Sequence, residues 1–120
     1  MEVGDLKVYR LLCDLAIEVS DLSLTFPKFE LYELGSQVRR SSNGGPANLA
    51  EGFDNKHTNI YLECISRSLG EIRETEHHLH IALRKKYITQ EIYENLINRY
   101  TECVKMLYGL EKSLRDNHRK

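Results

Sequence analysis

Four stretches of this chain repeat apolar side chains every three or four positions, and that spacing constrains the fold more than any other feature. In the first stretch Tyr9, Leu12, Leu15, Ala16, Val19 and Leu22 line one helical face. Asp5 is placed to cap that helix, and Pro27 drives the residue before it out of helical geometry, so the helix is expected over about 6–24. In the second, over about 30–52, Leu31, Leu34, Val38, Ser41 or Ser42, Gly45 and Leu49 share a stripe that passes from large apolar residues to small ones. In the third, over about 58–86, Thr58 is the expected N-cap and Leu62, Ile65, Leu69, Ile72, Leu79 and Leu83 follow, with a polar gap at Thr75 and Glu76. Arg84, Lys85 and Lys86 close it at the negative pole of the helix dipole. In the fourth, over about 89–115, Thr89 is a cap, Glu91 lies in the first turn, and Tyr93, Leu96, Tyr100, Val104, Leu107, Leu110 and Leu114 form the stripe. No stretch alternates with period two. The expectation is an all-α, antiparallel up-down-up-down four-helix bundle forming a single domain over 1–120.

Gly44-Gly45-Pro46 interrupts the second stretch. An interior Pro costs a helix roughly 3 kcal/mol and a Gly about 1 kcal/mol. Two readings stand: the helix ends near Asn43 and restarts with Pro46 in its first turn, or one long helix kinks there. Local rules favour the break.

Composition narrows the function. Lys plus Arg number 17 and Asp plus Glu 18, a formal charge of −1 that excludes a wholly basic nucleic-acid coat. No apolar run exceeds three residues, so neither a transmembrane helix nor a signal-peptide core is expected. Cys13, Cys64 and Cys103 are odd in number and widely spaced, which fits reduced thiols and a cytoplasmic location better than a disulfide framework or zinc knuckle. No nucleophile elbow, P-loop or paired-glycine fingerprint is present, and Cys13 has no His beside it in sequence to act as its base. Glu74 and His78, and Glu76 and His80, are spaced to share helix faces beside His77. No second helix offers the repeated ligand motif that a bundle metal site uses. A non-enzyme without metal or cofactor is expected.

The segment from Gln37 to Glu51 says more. Gln37, Arg40, Gly44, Asn48 and Glu51 would form a polar stripe on a continuous helix, opposite the apolar one. Arg40 and Glu51 would lie about 16 Å apart, too far to pair, so their partners must come from other helices, other subunits or a ligand. Arg39 and Arg40 could also meet phosphate. The small residues Ser41, Gly45 and Ala47 are expected where backbones approach closely.

Phe26-Pro27-x-x-Glu30, then Gln37-Val38-Arg39-Arg40, then Pro46-Ala47-Asn48-Leu49-Ala50-Glu51-Gly52 resemble, in order and spacing, the signature of the four-helix bundle proteins encoded in 23S rRNA intervening sequences, often labelled ribosomal. Leu69-Gly70, Glu74, Glu76, Leu79 and the closing Tyr87-Ile88 extend the similarity, which covers about Leu6 to Leu114. The resemblance implies a closed bundle with Pro46 inside a long second helix, which reverses the local preference for a break. It also implies a homo-oligomer, most often a pentamer, with Pro27, Glu30, Gln37, Gly45, Pro46, Asn48, Glu51, Gly52, Gly70 and Glu74 as structural or interface residues. A related protein, the accessory variability protein of diversity-generating retroelements, binds nucleic acid and a reverse transcriptase. Three positions depart from the family wording: Gly44-Gly45 replaces Ser-Ile, and Glu71 replaces Ser.

The expected function is therefore a non-catalytic oligomer acting through protein contacts. The alternative is an RNA- or DNA-binding accessory protein. Residues 1–33 sum to −4 and residues 34–120 to +3, so an oligomer could show a basic face. That face would use Arg39, Arg40, Asn48, Arg115, Arg119 and Lys120.

Overall fold

A computed structural model describes residues 1–118. Four helices follow in order: α1 (Lys7–Ser23), α2 (Leu34–Gly52), α3 (Thr58–Arg84) and α4 (Gln90–His118). Single 3₁₀ turns at Val3–Asp5 and Lys28–Glu30 precede α1 and α2, and the described residues contain no strand. Cross-helix contacts fix the directions. Arg39 meets Ser23 while Pro46 faces Cys13, so α2 runs against α1. Arg40 meets Glu74 while Ser68 reaches Gly45, so α3 runs against α2. Arg73 meets Tyr108 and His80 meets Tyr93, and Glu18 meets Arg99, which closes an antiparallel up-down-up-down bundle. It measures 52 × 24 × 20 Å.

The apolar stripes meet in one core. Leu12, Leu15 and Val19 of α1, Val38 and Leu49 of α2, Ile65, Ile72 and Leu79 of α3, and Tyr100 and Leu107 of α4 are all essentially inaccessible. Each such side chain contributes about 1.5–3 kcal/mol relative to exposure. Among neighbouring helices, packing is densest between α2 and α3 and sparsest between α1 and α4.

The helix boundaries shift where capping chemistry differs from the local signals. The second helix begins at Leu34, not near Glu30, because Lys28–Glu30 form a 3₁₀ turn and the Glu30 carboxylate accepts the Leu34 N–H (3.3 Å). Asp5 does not cap α1. It sits in the preceding 3₁₀ turn and accepts the Glu2 N–H at 2.9 Å, leaving Leu6 at the cap position. His57, not Thr58, takes the N-cap of α3, and its own N–H is bound by the Asn55 side chain (2.8 Å). Thr89 does act as expected, accepting the Ile92 N–H at 3.1 Å.

Helix α2 runs unbroken through Pro46, against the local preference for a break and in line with the family resemblance. Side-chain donors serve the carbonyls just before the proline. Asn48 Nδ2 donates to Gly44 O and Ser68 Oγ to Gly45 O, each at 2.8 Å. Burial of Pro46 against α1 adds to these bonds in offsetting the roughly 3 kcal/mol cost of an interior proline. No described helix is long and apolar enough to cross a membrane.

Candidate functional site

The α2–α3 seam gathers most of the residues that the sequence singles out. Its interior is lined by small polar side chains. Ser41 and Thr75 are fully buried with their hydroxyls 2.8 Å apart, and the Thr75 hydroxyl lies 2.9 Å from Glu71 O. Thr75 therefore fills the polar gap of the third apolar stripe as a satisfied core residue.

The stripe from Gln37 to Glu51 does not lie opposite the apolar face along its whole length. At Arg40, Gly44 and Asn48 it flanks α3. The Arg40 guanidinium pairs with Glu74 (2.5 Å) and stands 3.9 Å from Glu71, and His78 Nε2 lies 3.6 Å from the same Glu74. The partners of Arg40 are thus on a neighbouring helix of the same chain. Burial raises the Glu71 carboxyl above its ordinary pKa, Glu74 adds to the rise and Arg40 opposes it. Burial also lowers the His78 imidazole below its ordinary pKa, with Glu74 opposing the shift.

Close approach occurs at Gly35, Gly44 and Gly52. A Cβ on Gly44 would meet Glu71 Oε2 at 2.1 Å, whereas one on Gly45 would meet only Leu12 and Ile72 at 3.8 and 3.9 Å, ordinary contact distances. The expectation for Gly45 is corrected accordingly: it is buried but not crowded. Gly44 and Glu71 are two of the positions that depart from the family wording, and they touch. The glycine leaves room for the longer acid. Gly44→Ala should therefore give little net stabilisation beside Glu71, and about 1 kcal/mol in a Glu71→Ser background, where helix propensity acts unopposed. A double-mutant cycle by urea denaturation measures the difference.

The remaining candidates are dispersed. Arg39 is a structural clamp, donating to Ser23 Oγ (2.9 Å) and Leu31 O (2.6 Å). Arg115 pairs weakly with Glu111 on its own helix (3.9 Å), and Arg119 and Lys120 lie outside the described residues. Arg39 is engaged at the α1–α2 corner and Arg40 on α3, while Arg115 meets Glu111 within α4; the side chains of Arg40 and Arg115 stay more than half exposed. Gln37, Glu51 and Pro27 are exposed, and Gly70 is exposed with nothing within 4 Å of where a Cβ would stand. Among the described residues no three metal-ligating side chains come together, and His80 packs instead on Tyr93. Cys64 and Cys103 are buried, with the Cys103 thiol pushed up to about 11 by burial.

Two features escaped the periodicity. Glu30 is buried beneath the α1–α2 connector and accepts from Lys85 Nζ and Tyr87 Oη, each at 2.8 Å, as well as from Leu34 N–H. The Lys85 and Tyr87 hydrogen bonds hold its carboxyl below the usual range. Its only sequence signal is the Phe-Pro-x-x-Glu motif. The second is a groove of about 470 Å³ between α1 and α2, lined by Cys13, Ala16, Ile17, Ser20 and Pro46 among others. Ile17 stands 63% exposed beside it.

The family profile described as 23S rRNA-intervening sequence protein matches residues 4–109. A crystal structure from Bacteroides thetaiotaomicron, described as a protein of unknown function from the S23 ribosomal protein family, superposes with a TM-score of 0.76 at 28% identity. It covers 88% of this chain and 98% of its own. No curated protein matches the chain.

Proposed function

The chain belongs to the 23S rRNA-intervening sequence protein family, and from that premise we propose that it works as a non-catalytic homo-oligomer, a pentamer, acting through protein contacts in the cytoplasm. The observation that carries the reading is the α1–α2 groove. Ile17 is 63% exposed there, beside Ala16 and the buried Pro46, whereas Leu12, Leu15 and Val19 of the same helix are buried. A large exposed aliphatic side chain in a groove walled by Cys13, Ala16 and Pro46, with Asp21, Arg39 and Asn43 also lining it, supports burial against another chain. The nucleic-acid alternative has less support, since Arg39 is spent on the α1–α2 corner and Arg40 on Glu74. Replacing Ile17 with Glu should dissociate the assembly while leaving far-ultraviolet circular dichroism unchanged. Light scattering on the two proteins at equal concentration checks it, and an unchanged mass for the variant would remove the groove from the interface.

A further inference from the structure

One end of the bundle carries apolar side chains that the core does not use. Leu24, Phe29, Leu31 and Tyr32, all in the α1–α2 connector, are 64%, 69%, 37% and 85% exposed. Ile92, in the first turn of α4 at the same end, is 39% exposed. Scattered exposed apolar residues are ordinary, but a cluster within one short connector is not.

The connector is also held rigid from below. Glu30 is tied to Lys85 and Tyr87 of the α3–α4 connector, Leu31 O accepts from Arg39, and Phe26 packs on Tyr87 with ring centroids 5.4 Å apart. Phe29 and Tyr32 therefore project from a fixed frame, so a partner binding them need not order the loop first. The rim is cationic on the α3–α4 side, where Arg84, Lys85 and Lys86 are consecutive and exposed, and Lys28 adds a fourth cation beside Phe29. Among the described residues the carboxylate paired with Lys85 is the buried Glu30. Glu33 and Glu91 are the exposed acids nearest in sequence to the patch.

We propose that this end of the bundle docks an acidic, amphipathic segment of another protein, its apolar residues on Phe29, Tyr32 and Leu24 and its carboxylates on the Arg84–Lys86 rim. The inference rests on the reading that the chain acts through protein contacts, and it uses a different surface from the α1–α2 groove. The aliphatic members decide between partner classes. Bases stack on aromatic rings, and Leu24, Leu31 and Ile92 offer a nucleic acid nothing to stack on, whereas a protein segment buries all five residues.

The test uses the full chain and a labelled synthetic peptide of about 16 residues, with Leu and Phe at three- and four-residue spacing and Glu elsewhere. A copy with Lys in place of Glu, an oligothymidylate of about 20 nucleotides and anionic phosphatidylglycerol vesicles serve as the other probes. Fluorescence anisotropy should show the acidic peptide binding about tenfold or more tightly than its Lys copy, and a Phe29→Ser/Tyr32→Ser double variant should lose about tenfold. Lys28→Glu/Arg84→Glu should shift preference towards the Lys peptide. Neither variant should change the oligomeric mass. The proposal is overturned if the two peptides bind equally or not at all, or if the oligonucleotide or vesicles bind in their place. A fall in mass for the Ser double variant would overturn it too, because a second copy would then be the occupant. A monomeric wild-type protein that still binds the acidic peptide would refute the oligomer reading and leave this one standing.

Discussion

Glu30→Ala should destabilise the bundle by about 4 kcal/mol, the largest loss expected from any single side chain outside the apolar core. The carboxylate is 2% exposed and satisfies three donors at once. Removing it strands the Leu34 N–H at the start of α2 and the Tyr87 hydroxyl, and unties two connectors that meet nowhere else through so many bonds. Equilibrium urea denaturation reads the loss. The same group gives a pH signature. Its folded pKa is depressed, so its contribution is fully present above the ordinary glutamate value of about 4.3 and drains away as the pH falls through the folded value. The stability gap between wild type and Glu30→Ala should therefore be constant from neutrality to about pH 5 and narrow below about pH 4. A gap that stayed constant to the acid limit would show that the carboxylate's charge is not what holds the connectors. Comparing the two proteins cancels Glu71 and Glu76, whose raised values act with the opposite sign.

Gly52→Ala is the second large effect, about 3 kcal/mol. Gly52 ends α2 where it turns towards α3, and a Cβ there would stand 2.6 Å from Cys64 Cβ, 2.8 Å from its Sγ and 3.2 Å from Ile60 O. Unlike Glu71 above Gly44, these are short and fixed atoms, so no side-chain rotation relieves the clash. Cys64→Gly in the Gly52→Ala background should restore part of the loss, whereas Cys64→Ala should not, because it keeps the Cβ. Thermal denaturation of the four proteins separates the two cases. Equal rescue by both would mean that the thiol, not the Cβ, sets the close approach.

These two sites also mark what periodicity can and cannot reveal. The number of helices, their order and most core positions follow from the three- and four-residue spacing, because burying one face of a helix is a local pattern. Thr89 as a cap was legible for the same reason: its acceptor role spans three residues. Glu30 and Lys85 are 55 positions apart, and Ser41 and Thr75 are 34 apart. No window along the chain shows such partners, so Glu30 was visible only as a motif letter and Thr75 as a gap. Pro46 misled local rules because the donors that support its helix come partly from Ser68 on α3. The sequence shows that Arg40 needs a partner but not which one, since Ser23 and Leu31 for Arg39 and Glu74 for Arg40 become neighbours only in the folded bundle. Gly45 stands on the stripe, while the crowding falls on Gly35, against the Glu30 carbonyl, and on Gly44 and Gly52, which face α3 side chains.

The mass of the protein in solution separates a working oligomer from a single bundle. One chain is 14.0 kDa. Sedimentation velocity at micromolar concentration should give a single species of about 70 kDa, five chains closed into one assembly. A single species at 14.0 kDa over the same concentration range would contradict the account.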